Sequence, residues 1–233
     1  MSRKKRGSIV TNKQRSLIAH YKPKSPFTEQ YRTIRTNIQF ASVDQDIRTL
    51  MVTSPGPGEG KSTTAANIAA VIAQQGKRVL LIDADMRKPT VHYTFQTSNT
   101  QGVTNVLTRQ LTLNEAVLAT EVENLSILSS GPVPPNPSEL LGSKMMDQLI
   151  DEALKTFDMV IFDTPPILAV TDAQIVANRC QGSVLVVSSG KTENEAALKA
   201  KESLEHAKAK LLGVVLNRKE MKQGQYHYYY GNK

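Results

Sequence analysis

The chain has 233 residues, 39% of them hydrophobic and 21% charged, with a single cysteine and a formal net charge of +8. This length suits one α/β domain with tails. Cys180, being alone, excludes an internal disulfide and fits a reducing compartment, and no apolar run approaches the ~18 residues of a membrane span. Met1 leads into polar, basic sequence and not into a signal peptide, so a soluble, cytoplasmic protein is expected. The charge is uneven. Residues 1–24 carry Arg3, Lys4, Lys5, Arg6, Lys13, Arg15, Lys22 and Lys24 and no acid, while the remaining 21 basic and 21 acidic residues balance. The body is therefore not a nucleic-acid-binding surface. It carries a basic arm suited to anionic lipid, nucleic acid or an acidic partner, or to solvent alone.

In chain order, Ser25-Pro26 reads as an N-cap with proline at the first helical position. It opens a helix that runs to about Phe40. At 100° per residue, Phe27, Tyr31, Ile34 and Ile38 fall within ~60° of one another and form an expected core stripe. Glu29, Arg32 and Arg35 fall on a separate polar face. Strand-like runs follow at 49–53, 78–83, 125–129, 159–163, 183–188 and 212–217. Several are apolar throughout, as strands buried on both faces must be. Helices are expected at 62–75, 143–156, 172–178 and 193–209, the last opening on a capping box, Thr192-x-x-Glu195. The proline-rich stretch 132–137 reads as a loop. Strands alternating with helices predict an α/β fold, a mostly parallel central sheet with helices on both faces. Its ligand belongs at the carboxyl ends of the strands.

The stretch Ser54-Pro55-Gly56-Pro57-Gly58-Glu59-Gly60-Lys61-Ser62-Thr63 follows the first strand and opens an Ala-rich helix. Strand, glycine-rich loop and helix in that order are the context of a phosphate-binding loop. The loop's N–H groups, Gly58 to Thr63, would surround phosphate oxygens, and the helix N-terminus adds partial positive charge. In that context Lys61 would bridge the β- and γ-phosphates of ATP, and Ser62 would hold Mg²⁺. The first glycine of the common pattern is Pro55 here, so the loop opens differently while its cradle is intact. Two further strand ends supply carboxylates, Asp83-Ala84-Asp85 and Asp163-Thr164-Pro165-Pro166. Hard oxygen ligands beside a P-loop suit Mg²⁺.

The order of Gly60-Lys61-Ser62-Thr63, then Leu81-Ile82-Asp83-Ala84-Asp85-Met86-Arg87-Lys88-Pro89, then Val160-Ile161-Phe162-Asp163-Thr164-Pro165-Pro166, and a tyrosine cluster at Tyr226, Tyr228, Tyr229 and Tyr230, resembles the bacterial tyrosine kinases. This P-loop family controls capsule and exopolysaccharide production, and the likeness runs from Ser25 to the C-terminus. Three parts are implied: the basic arm (1–24), a P-loop kinase domain (25–220) and a tyrosine-rich tail (221–233). The resemblance implies an ATP- and Mg²⁺-dependent protein-tyrosine kinase that autophosphorylates its tail between subunits. Lys61, Asp83 and Asp85 would be catalytic, with Asp83 favoured as base. Ser62, Asp83 and Asp163 would serve the metal, and Asn217 and Arg218 the adenine.

Glu29-x-x-Arg32-x-x-Arg35 matches the family's helix for ring assembly, so a homo-oligomeric ring is implied. Also implied are protein tyrosine substrates, a cognate phosphotyrosine phosphatase, and a separate transmembrane activator that recruits the kinase to the inner face of the membrane. Each phosphotyrosine adds nearly two negative charges, so a phosphorylated tail should leave the site. The rival reading is a non-kinase switch ATPase of the septum-positioning or chromosome-partition type. Those proteins carry a signature lysine five residues before the second lysine, where this chain has Gly56.

Overall fold

The computed structural model describes residues 17–41 and 46–220. Tyr226, Tyr228, Tyr229 and Tyr230 and the first sixteen residues of the basic arm lie outside the described residues. The chain opens with a short helix, α1 (Ile18–Tyr21), then α2 (Pro26–Phe40), β1 (Thr49–Thr53), α3 (Lys61–Ala73) and β2 (Val79–Asp83). Four short helices and two strands follow: α4 (Val91–Phe95), α5 (Val103–Leu107), α6 (Leu113–Ala116), β3 (Leu118–Ala119), β4 (Leu125–Leu128) and α7 (Pro137–Gly142). The rest is α8 (Lys144–Thr156), β5 (Met159–Asp163), α9 (Asp172–Arg179), β6 (Gly182–Ser188), α10 (Asn194–His206) and β7 (Leu211–Asn217).

The seven strands form one sheet in the order β3-β4-β2-β5-β1-β6-β7. All neighbours are parallel except β3 and β4. Every residue of β1, β2 and β5 is buried. Successive strand side chains point to opposite faces, so each strand feeds two cores. Met51, Leu80, Ile82, Val160 and Phe162 pack on one face with Met146, Leu149 and Val176 of the later helices. Leu50, Val52, Leu81 and Ile161 pack on the other with the alanines of α3.

Helix α3 is buried along nearly its whole length. It lies between the sheet and a second layer made by α1 and α2, which explains its apolar surface all round. Its small side chains let it sit close to the strands. The short α1 lies within the stretch expected to be a free basic arm. Leu17 and Ala19 belong to the core, so the folded body includes residues from position 17 on, eight before position 25. The reason is polar as well as apolar. The Ala19 N–H donates to Asn67 Oδ1 at 2.9 Å, and Gln74 Nε2 donates to the Ala19 carbonyl at 3.0 Å.

Helix α2 starts as expected, with Ser25 Oγ accepting from the Thr28 N–H at 3.1 Å and Pro26 in the first turn. Its buried face is rotated from the expected stripe. Ile38 is buried and Tyr31 and Ile34 pack on the core, but Phe27 is 48% exposed and Thr28 is buried in its place. The Thr28 hydroxyl donates to the Lys22 carbonyl at 2.8 Å, closing the turn between α1 and α2. The same rotation turns Arg35 inward: its guanidinium donates to the Val71 carbonyl at 3.0 Å. Glu29 and Arg32 form an ion pair on the solvent side.

The expected capping box of α10 is not made. Glu193 is the N-cap, without a side-chain cap, and the Thr192 hydroxyl is used elsewhere. Replacing Asn67 by alanine tests the seam between α1 and α3. Alanine favours the helix but leaves the buried Ala19 N–H without its acceptor. Asn67→Ala is expected to lower unfolding stability by about 2 kcal/mol, read as a lower denaturant midpoint with an unchanged slope.

Candidate active site

The carboxyl end of β1 runs straight into the glycine-rich loop. Gly58 and Gly60 have φ of +72° and +98°, backbone that glycine adopts without strain. Gly60 also caps α3, and a Cβ there would lie 2.1 Å from Asn217 Nδ2. The position is closed to other residues on two counts. The turn leaves the first N–H groups of α3 directed at the loop, the arrangement that binds phosphate.

The loop is braced from three sides. Glu59 is buried, and its Oε1 accepts from the Gly56 N–H at 3.0 Å. Its Oε2 accepts from the Thr192 hydroxyl at 2.8 Å. Asn217 Nδ2 donates to the Glu59 carbonyl at 2.8 Å, and Lys191 Nζ donates to the Pro57 carbonyl at 2.7 Å. Of these braces, only Glu59 and Asn217 were among the expected site residues. Arg218 lies beyond Asn217 with φ of +57°, and its N–H donates to Asn217 Oδ1 at 2.9 Å.

The sheet order places β5 between β1 and β2, with Asp83 in register with Asp163 and Val52 in register with Asp163. Three strand ends therefore meet at one point. Lys61 Nζ lies 3.0 Å from Asp85 Oδ2, 3.3 Å from Asp163 Oδ1 and 3.2 Å from Ser62 Oγ. Burial works against the ammonium, but Asp163, Asp85 and Asp83 outweigh it and raise its pKa. Asp163 is buried, and its pKa is raised by that burial against the pull of Lys61 and the Ser62 hydroxyl. Its Oδ2 is buried with no hydrogen-bond partner.

Asp83 stands apart from its neighbours. It is fully buried, and its Oδ2 accepts from the N–H groups of Thr90 and Val91 at 2.8 and 2.9 Å. Its Oδ1 accepts from the Asp85 N–H at 3.2 Å. Burial and the nearby Asp163 charge push its pKa up to about 7, against those N–H groups and Lys61. Both oxygens thus hold the chain that leads from β2 into α4. That leaves Asp83 badly placed for the role of base expected of it. Asp85 Oδ1 accepts from the Lys88 N–H at 3.0 Å, while Oδ2 faces Lys61.

Arg87 extends the same arrangement. Its Nε and one terminal nitrogen donate to the two oxygens of Asp172 at 2.8 and 3.1 Å, and Ser138 Oγ donates to Asp172 at 2.7 Å. This bidentate pair ties the loop after β2 to the first turns of α7 and α9. Arg87 was part of the recognised motif, but nothing near it in the sequence marked Asp172, 85 residues away, as its partner.

Among the described residues no group of three or more His, Cys, Asp or Glu is set to enclose a metal ion. Mg²⁺ uses one or two carboxylates together with phosphate oxygens and water. The unpartnered Asp163 Oδ2, beside Ser62 and the phosphate cradle, fits such an ion.

A family described as an AAA domain matches residues 47–200 of this chain. A tyrosine-protein kinase of Bacillus subtilis, YwqD, is 59% identical over 231 residues, covering 99% of this chain and 96% of the relative. The crystal structure of the chimerical protein CapA2B2 superimposes with a TM-score of 0.85 at 46% identity, covering 88% of this chain and 90% of the other. The septum site-determining protein MinD of Pyrococcus horikoshii, complexed with Mg-ADP, superimposes with a TM-score of 0.62 at 20% identity, covering 79% of this chain and 77% of the other. This last likeness is one of fold alone.

The two aspartates of the β2 end are separable by experiment. Asn in place of Asp83 would set an NH₂ group against backbone N–H donors. Asp83→Asn is expected to lower stability by about 2 kcal/mol. Asp85→Asn sets one NH₂ group against Lys61 or the Lys88 N–H but also relieves crowding of negative charge, so it is expected to cost less, about 1 kcal/mol. A larger stability loss for Asp85→Asn than for Asp83→Asn would reverse this ranking.

Proposed function

The chain belongs to the bacterial tyrosine kinases, and on that footing we propose that it phosphorylates its own tail tyrosines, Tyr226, Tyr228, Tyr229 and Tyr230, between subunits. The enzyme is a protein-tyrosine kinase of the kind found in capsule and exopolysaccharide systems. Control of that production through tail phosphorylation is part of the proposal. The observation that carries it is the Lys61 ammonium, held at the mouth of the phosphate loop between Asp85 and Asp163. The switch-ATPase reading is left with the fold alone, since the septum protein shares 20% identity, and Gly56 stands where that group carries its signature lysine.

The reaction joins a tyrosine oxygen to the γ-phosphorus of ATP as the bond to ADP breaks. The N–H groups of residues 58–63 hold the phosphates, and Lys61 bears on the β- and γ-phosphate oxygens, where charge gathers as the bond breaks. Electrostatic stabilisation of this kind is the larger part of such catalysis. Mg²⁺ supplies further neutralisation of those oxygens, with Ser62 and Asp163 as the residues that would hold it. Asp85 is the side chain we assign to the proton of the incoming phenol. It needs only modest strength, because a phenol has a pKa near 10. Asp83 keeps the loop that carries Asp85 in place. Asn217 and Arg218, beyond the phosphate loop, are assigned to the adenine.

The acceptors follow from exposure as well as from the cluster itself. Tyr31 is packed on the core and burial raises its pKa, which makes it a poor substrate. Tyr21 and Tyr93 are exposed and are the internal competitors. The proposal extends to a ring in which Glu29 and Arg32 face a neighbour, and to a separate transmembrane activator that brings the kinase to the membrane. Among the described residues no helix is long and apolar enough to cross a membrane. Arg35, bonded to its own α3, is assigned to holding α2 in place instead of reaching across.

Incubation with labelled ATP and Mg²⁺, followed by phosphotyrosine mapping, tests the reading. Lys61→Met is expected to reduce labelling at least a hundredfold, on the order of the loss of a transition-state charge partner, in a protein that melts as a folded body. Changing the four tail tyrosines to Phe is expected to remove most label and leave nucleotide binding in place. Label concentrated at Tyr21 or Tyr93 would move the acceptor site. For the ring, light scattering of the unphosphorylated Glu29→Ala/Arg32→Ala protein should report a smaller particle than wild type, and an equal mass would return this pair to an ordinary solvated surface.

A further inference from the structure

The turn after β6 is pinned to the phosphate loop at two adjacent residues. The Thr192 hydroxyl donates to Glu59 Oε2, and the Ser188 N–H donates back to that hydroxyl at 2.8 Å. The N–H groups of Lys191 and Thr192 both donate to the Ser188 carbonyl, at 3.1 and 2.9 Å, around Gly190 at φ of +70°. Lys191 is thereby held over the loop. Its Nζ donates to the Pro57 carbonyl, and a Cβ on Gly58 would lie only 3.3 Å from that nitrogen. An ammonium has three donors, and this is the one bond it makes among the described residues. No carboxylate of the described residues forms an ion pair with it.

Position along the sheet gives this cation a direction. The order β1-β6-β7 sets three loops side by side at the carboxyl edge: the phosphate loop after β1, Lys191 after β6, and Asn217-Arg218 at the end of β7. A nucleotide with its phosphates on the first and its base at the third passes beside the second. An exposed lysine without an acidic partner normally points its charge into open water. Here the charge is fixed at the rim of an anion cradle, with donors to spare.

We propose that Lys191 is a nucleotide-binding residue whose ammonium contacts the phosphate chain between the phosphate loop and the base. This rests on the reading that the loop holds ATP. Lys191 then acts as a second cation in the same subunit, on the side of the loop opposite Lys61. Thr192 and Glu59 keep it there, because they fix the turn that carries it.

Calorimetric titration of the full chain with Mg-ADP, paired with thermal melts without nucleotide, tests this on Lys191→Met and Lys191→Arg. Methionine keeps the apolar stem and removes the charge. ADP affinity is expected to fall about tenfold in Lys191→Met, as for loss of a charge-assisted bond, and to recover to within about threefold in Lys191→Arg. The loss should shrink in high salt, since this cation is at the surface. The melting point without nucleotide should stay within a degree of wild type. Unchanged ADP affinity in Lys191→Met overturns the proposal alone. A lower melting point without nucleotide that accounts for the whole affinity change reduces Lys191 to a brace for the Pro57 carbonyl, and also overturns it. Failure of the wild-type chain to bind ADP at all would overturn the nucleotide reading, and this inference with it.

Discussion

A buried ammonium between carboxylates at the ends of β2 and β5 is the constraint on which the rest of this molecule depends. Taking a charge out of water costs several kcal/mol even after relaxation. Lys61 is held against that cost by Asp85 and Asp163, and the arrangement exists only if β1, β5 and β2 are neighbours in one register. A slip of one residue would carry a strand's side chains to the opposite face and strand a charge in the core. The apolar strands thus give the sheet its stability, and the charged cluster at their ends specifies which pairing is correct. Burial first, and the neighbouring carboxylates second, raise the pKa values of Asp83 and Asp163.

Around that centre the phosphate loop is held mainly by residues remote in sequence. Glu59 reaches Thr192, and Asn217 reaches the Glu59 carbonyl. At the far end of the loop, Asn67 Nδ2 donates to the Thr63 carbonyl at 2.8 Å while its Oδ1 holds α1. A glycine-rich segment is costly to order, because each glycine gives up more conformational freedom than other residues. These bonds hold the cradle in one shape before a ligand arrives, so that binding need not supply that ordering. The same bonds link the loop to β6, to β7 and to the layer above α3.

The fold and the centre of the site were legible in the sequence for a common reason. Buried parallel strands must be apolar over several residues, and a phosphate loop must combine glycines with a lysine in a fixed order. Both leave local marks. What stayed hidden is set by contacts that have no local mark. The helices α4 to α7 span four to six residues, too few for a helical period to show, and β3 is a two-residue antiparallel edge. The helical wheel of α2 grouped its residues correctly by angle but could not say which edge of the stripe the body would cover. The turn made by Thr28 and Lys22 decided that, exposing Phe27 and drawing in Arg35. Thr192 has the right spacing for a cap, yet a buried carboxylate on another loop takes its hydroxyl. Asp83 and Asp85 are alike on paper, and only the fold shows that one is spent on three backbone N–H groups.

The two surfaces of α2 do different work, and the energies separate them. An exposed pair such as Glu29 and Arg32 adds only ~0.2–0.5 kcal/mol to its own helix, too little to matter to a domain of this size. Arg35 and Ile38, by contrast, bind α2 to the body, and Arg35 does so at the carboxyl-terminal part of α3. That helix of thirteen residues spans about 20 Å, with the phosphate cradle at its other end. It is buried along nearly its whole length. A load applied to the outer face of α2 therefore meets a stiff element whose far end is the nucleotide loop. The outer face of α2 and the phosphate loop are thus joined through one buried helix.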